Sequence, residues 1–207
     1  MQWLLLVATA LVAVLNWWSR IRNDDRLEQI TKPLTTVLII GLALVSGAPA
    51  SQITIAVVAL TFCLVGDIAL LPVIDRFVVG LAAFLLGHLS FIVLFARYGL
   101  SQWTLGAVAA GLAVALVGFV GRTIISGARS KDAALAMPVI AYLTIICSMT
   151  IVGWATGRWL VIIGSTLFVV SDSVLGWRQF VRPRPWMPVA IMVTYHGALV
   201  SLALSLW

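Results

Sequence analysis

Eight stretches of about twenty residues, each nearly free of charge, leave this chain few ways to fold. The third, residues 51–71, holds a single charged side chain, Asp67, in twenty-one positions. Inside hydrocarbon, backbone groups must pair within their own segment or around a closed barrel, so only helices and barrels cross a bilayer. Barrel strands alternate apolar and polar residues over about ten positions. These runs are continuous instead, and they match the length a helix needs to span about 30 Å of hydrocarbon. Composition agrees, with 62% hydrophobic and 10% charged residues, against about 25% charged in soluble domains. The expected fold is an all-α, polytopic transmembrane bundle of eight helices, forming one domain over residues 1–207.

Charge, Pro and Gly bound the runs at about 2–19, 32–47, 51–71, 77–97, 100–121, 134–155, 158–177 and 187–207. Residues 1–19 lack a basic leader and a small-x-small site, and Arg20 and Arg22 follow the run. The segment therefore reads as a retained first helix and not as a signal peptide. Cys63 and Cys147 fall inside spans and read as small hydrophobes. Eleven basic residues lie in the odd-numbered connections: Arg20, Arg22, Arg26, Lys32, Arg76, Arg122, Arg129, Lys131, Arg178, Arg182 and Arg184. Only Arg97 and Arg158 lie on the other side. The positive-inside rule then puts those connections in the cytoplasm and both termini on the non-cytoplasmic side. The expectation is a multi-pass protein of the cell (inner) membrane of a bacterium. Its net charge of +6 points to contact with anionic membrane lipids and not with nucleic acid. The nine tryptophans mostly lie near span ends and read as an interfacial belt.

Polar residues inside the spans are few. Asp24, Asp25, Glu28, Asp75 and Asp132 read as loop acids, which leaves Asp67 and Asp172 at membrane depth. A carboxylate there costs at least about 2.5 kcal/mol and marks function when it faces the bundle interior. Asp67 precedes Pro72 by five residues, and Asp172 precedes Arg178 by six. At 1.5 Å per residue both lie roughly 7–9 Å below the same face. His88 and His196 lie about ten residues into helices starting from that face, and Lys32 opens the second span. These groups are expected to share one polar pocket open to the inner leaflet.

The chain has no G-x-S-x-G elbow, P-loop or H-E-x-x-H motif, and no pair of metal ligands at i, i+4. No metal or cofactor is expected. Two carboxylates in a low-dielectric pocket suit a general acid working with an ionised partner, as in cleavage through an oxocarbenium ion. Proton-coupled transport of a small molecule or lipid uses the same residue types. The polar residues alone leave both readings open.

Five motifs in order then narrow the choice. Lys32-Pro33 opens the second span, and C-L-V-G-D-I-A-L-L-P occupies 63–72. The fourth span carries Phe77, Gly80, Phe84 and His88 in F-x-x-G-x-x-x-F-x-x-x-H. The sixth has M-P-V-I-A-Y-L at 137–143 followed by Met149, and the seventh has L-F-V-V-S-D-S-V-L at 167–175. Over essentially its whole length the chain resembles the YhhN family of membrane lysoplasmalogenases. The resemblance implies eight spans and hydrolysis of the vinyl-ether bond of lysoplasmalogens, yielding a fatty aldehyde and glycerophospho-ethanolamine or -choline. It implies a lysophospholipid substrate, with Asp67 and Asp172 central to the active site. Lys32 and the loop arginines are expected near the substrate phosphate, and His88, Tyr142, Ser171, Tyr195 and His196 are expected to orient water or the glycerol hydroxyl. The chain departs from the family pattern at Phe91, where a tyrosine is usual. It departs again at Leu199, which stands where the last helix usually carries glutamine, and His196 is expected to take over that hydrogen bonding.

Overall fold

The structure is a computed structural model describing residues 2–207. Its helices are α1 (Gln2–Arg22), α2 (Asp25–Leu44), α3 (Ala50–Ala69), α4 (Phe77–Tyr98), α5 (Trp103–Leu116), α6 (Arg122–Lys131), α7 (Ala136–Ala155), α8 (Trp159–Phe180) and α9 (Met187–Leu204). A π-helical turn, Val117–Gly121, joins α5 to α6 without a break, and a 3-10 turn, Ala133–Leu135, leads into α7. Eight helical stretches are long and apolar enough to cross a membrane. The chain is a multi-pass, all-α membrane protein.

Six helices close a ring. α2, α3, α4, α7, α8 and α9 each pack on the next, and α9 returns to α2. α1 lies outside against α2 and α9, and α5 lies outside against α7. Inside the ring Leu60, Phe91, Phe95, Phe168, Met149 and Leu202 are fully buried. Leu4, Val114 and Phe119 on the outer helices are more than 70% exposed, as side chains facing lipid should be. Phe91 packs on Phe95 and Phe168, and Leu199 is fully buried. Both departures from the family pattern therefore fall in apolar core.

Several boundaries differ from the sequence expectation, and in the second, fifth and seventh spans charged residues continue a helix. α2 begins at Asp25, seven residues before Lys32, with the Asp24 side chain accepting from the Leu27 N–H at 3.0 Å. Asp25 and Glu28 occupy its first turn, where negative charge suits the helix dipole. Pro33 thus lies inside the helix, and the Gln29 carbonyl loses its i+4 donor. Glu28 is not a loop acid, because it is buried and bonded to Arg20. The fifth span continues past Arg122 to Lys131, with Ile124 and Ala128 buried and Arg122, Arg129 and Lys131 exposed. The seventh span runs on to Phe180 and carries Arg178 within it. α3 stops at Ala69, with Leu70 as its C-cap.

The amphipathic α6 docks on α8 and α7, and Ile124, Ala128 and Val139 form a small core with Trp177 and Phe180 around it. Gly127 makes the close approach possible, since a Cβ there would collide with the Phe180 backbone carbonyl. Backbone cannot yield as a side-chain tip can. Gly127→Ala is expected to lower stability by about 1–3 kcal/mol through overpacking, read as a lower unfolding midpoint of the detergent-solubilised protein.

Candidate active site

α2 presents Glu28, Lys32 and Thr36 at four-residue intervals, so one helical face carries all three toward the ring interior. Opposite them, near the C-terminal end of α3, Asp67 has no exposed surface. Its Oδ2 accepts from the Thr36 hydroxyl at 2.6 Å and from the Tyr195 hydroxyl on α9 at 2.9 Å. Its Oδ1 lies 3.7 Å from Lys32 Nζ, and the lysine is itself buried. A cation and two hydroxyl donors are what a buried carboxylate needs to remain charged. Lys32, expected near the substrate phosphate, is therefore the counter-ion of Asp67.

Asp172, on α8, has different neighbours. Its Oδ2 accepts from the Tyr142 hydroxyl on α7, and the Nε2 of His88 on α4 is 3.9 Å away, beyond hydrogen-bonding distance. His88 is fully buried with neither ring nitrogen bonded. It is wedged edge-on between Phe168, with centroids 4.5 Å apart, and Tyr142 at 5.3 Å. Phe168 also meets Tyr195 edge-on at 5.6 Å. One aromatic ring, Phe168, thus touches a residue of each aspartate cluster.

Both carboxylates line one cavity of about 70 Å3, with Arg20, Glu28, Lys32, Ser171, Arg178 and Tyr195 among its walls. That volume accommodates more than one water. A second, almost wholly apolar cavity of about 40 Å3 lies beside it, walled by Phe77, Leu81, Ile124, Val139, Leu143 and Phe180. Leu70, Phe84, Asp172 and Leu175 line both. Asp172 therefore stands where a polar chamber meets an apolar one. That arrangement can hold a molecule that is polar at one end and aliphatic at the other, with the carboxyl group at the join.

The structure brings Asp67, Asp172, Lys32, Tyr142, Tyr195, Ser171 and His88 into one region, although the Ser171 hydroxyl is spent on the Ile191 carbonyl at 3.2 Å and pins α8 to α9. His196 is the exception. Adjacent helical positions differ by 100°, so with Tyr195 turned inward His196 faces α1. Its Nδ1 accepts from Trp17 Nε1 at 3.1 Å, and it lines a lateral groove with Leu6, Thr9 and Ala13, away from the aspartates. It cannot replace a missing glutamine in the pocket. Trp17, expected in the interfacial belt, is by the same bond a packing residue between α1 and α9. Sequence reading missed Thr36 and Glu28, and read Arg20 and Arg178 only as loop arginines near the substrate phosphate. The 28–32–36 spacing held the signal for Thr36 and Glu28, but it was hidden by starting the second span at Lys32.

The model of the YhhN family matches residues 27–206. The chain belongs to the YhhN family. This YhhN protein is similar to human lysoplasmalogenase TMEM86B, being 31% identical over 153 residues that cover 71% of this chain and 61% of the human protein. The rat and pig proteins of that name are each 32% identical over 151 residues, again 71% of this chain, and 59% and 61% of their own lengths. Each match covers less than two thirds of the relative's length. No solved structure matches this chain.

Thr36 and Tyr195 are the two hydroxyls that reach Asp67 from helices on either side. Thr36→Val and Tyr195→Phe are each expected to lower stability by about 1.5–3 kcal/mol, the range for a hydrogen bond to a charged group. Because both donors serve one oxygen, the double variant should depart from additivity. Denaturation of the four proteins in one detergent provides the test.

Proposed function

We propose that this protein hydrolyses the vinyl-ether bond of a lysoplasmalogen, releasing a fatty aldehyde and a glycerophospho-ethanolamine or -choline. The observation that carries the proposal is the pair of interior carboxylates lining one cavity, with Asp172 at its junction with an apolar chamber. The name of the curated relatives supports the same reaction.

Asp172 carries the proton. It has one phenol donor and no cation within 4 Å other than a histidine that is charged only when protonated. It transfers that proton to the alkenyl carbon remote from the ether oxygen, and the adjacent carbon becomes part of an oxocarbenium ion. Asp67, held ionised by Lys32, Thr36 and Tyr195, takes a proton from a water that adds to this cation. Asp172 then takes the hemiacetal's hydroxyl proton while Asp67 gives its proton to the glycerol oxygen, and the bond between carbon and glycerol oxygen breaks. One water is consumed, and both carboxyl groups return to their starting states. Tyr142 and Tyr195 orient the two acids, and His88 supports Asp172 from the apolar side. The eleven-to-two distribution of basic residues supports a mouth of the polar cavity in the cytoplasmic leaflet.

Detergent-solubilised protein should release aldehyde from a lysoplasmalogen and none from the saturated ether lipid of equal length. A proton-coupled transporter would make no aldehyde from either. Asp67→Asn and Asp172→Asn should each reduce turnover by at least about 10²-fold, the usual range for loss of general acid–base catalysis, with the fold retained. In infrared spectra Asp172→Asn, and not Asp67→Asn, should remove the stretch of a protonated carboxyl group. His196→Leu, on the other face of α9, should retain turnover. Aldehyde release by either asparagine variant at the wild-type rate would refute the assignment.

A further inference from the structure

We infer that the phosphate of the lipid substrate is held by Arg178, with Arg20 as a second arm, at the neck between the aspartate cavity and an outer groove. The inference rests on the proposed lysoplasmalogen reading and names the group that selects a phospholipid over a neutral ether lipid.

Three observations lead to the neck. First, the cations lining the polar cavity are Arg20, Lys32 and Arg178. Lys32 lies beside Asp67, and Arg20 pairs with Glu28 and Asp25. Among the described residues Arg178 has no acidic partner within 4 Å. Lys32 is thus already engaged, and Arg178 is the cation left for a ligand. Second, Arg20, Arg178 and Pro188 line both the polar cavity and a broad groove of about 1070 Å3 leading outward between α1 and α9. That groove adds Arg184 and contains no carboxylate, so its charge is complementary to an anion. Trp186 on its wall is exposed, as befits a residue at the head-group level.

Third, the spacing fits a lysophospholipid. Arg178 follows Asp172 by six residues, about 9 Å along the helix axis. Helical side chains tilt toward the N-terminus, which brings the guanidinium back toward Asp172. The glycerol arm from ether oxygen to phosphorus spans about 6 Å at ordinary bond lengths. A lipid with its vinyl ether at Asp172 and the first carbons of its chain in the apolar chamber would therefore set its phosphate at the neck. Guanidinium is suited to this task because it donates two parallel hydrogen bonds to phosphate oxygens. Arg20, locked by Glu28, keeps donors free on its other nitrogens.

The test measures binding without turnover, using two saturated ether ligands of equal chain length: 1-O-alkyl-glycerophosphoethanolamine and 1-O-alkyl-glycerol. Wild type in detergent should bind the phospholipid about 10–100-fold more tightly, the equivalent of one strong charge-assisted contact. Arg178→Gln should abolish that preference by weakening the phospholipid alone, and Arg178→Lys should restore part of it. Arg182→Gln, in the loop beyond α8 and outside the groove, should behave as wild type. On the cleavable lipids, Arg178→Gln should raise KM for lysoplasmenyl-ethanolamine and leave 1-alkenyl-glycerol unchanged. An undiminished phosphate preference in Arg178→Gln overturns the inference, as does equal weakening of both ligands. Displacement of the phospholipid by inorganic phosphate as effectively as by glycerophosphoethanolamine would assign the neck to free phosphate instead, and also overturn it. Absence of aldehyde from wild type alongside an intact binding preference would count against the reaction and leave the phosphate site standing.

Discussion

A carboxylate in hydrocarbon must carry its own polar surroundings, and Asp67 takes them from two other helices. Lys32 and Thr36 come from α2, and Tyr195 comes from α9. The same contacts tie α3 to α2 and α9 at the point where the ring of six helices closes. Removing any one partner leaves buried charge or a buried donor unmatched, which is costlier than never having had the pair. The polar cluster is thus part of the reason the helices sit where they do, and not an ornament on a bundle assembled by apolar packing. Within a membrane, apolar surface gives helices little reason to choose one another over lipid. Specific polar contacts of this kind supply that choice.

Seen from Asp67, the rest of the site is an exercise in contrast. Asp67 sits among a cation and hydroxyls, whereas Asp172 meets one phenol and an imidazole enclosed by aromatic rings. Two like side chains in unlike surroundings are how proteins separate an acid from a base. The join between polar and apolar chambers at Asp172 adds what the proposed ether-lipid reaction also needs, a place for the bond at the boundary between head group and chain. α6 closes the apolar chamber with Ile124, while the arginines of α1 and α8 mark the other end.

Much of this was legible in the sequence. Span number followed from the length of the apolar runs, Asp67, Asp172 and His88 were singled out because polar groups at membrane depth are few, and Tyr142 and Tyr195 came from the family resemblance. The misreadings around α2 share one cause. Hydropathy treats each charged residue as a boundary, yet Arg20 with Glu28 and Lys32 with Asp67 meet across helices and allow charge to continue inside. That displaced the start of α2 and hid Thr36 and Glu28 as site residues. The end of α5 was misplaced for a different reason, since α6 is amphipathic and runs on beyond the apolar stretch with its charges on the outer face. His196 was misassigned because depth along a helix says nothing about azimuth, and the facing that separates it from Tyr195 depends on which neighbours α9 finds.

The central claim is that a carboxyl group protonates the vinyl-ether carbon before water adds. Running the reaction in deuterated water and trapping the aldehyde at once for mass spectrometry addresses that step directly. The account predicts one deuterium on the carbon next to the carbonyl in every product molecule. Aldehyde released without that label would contradict it.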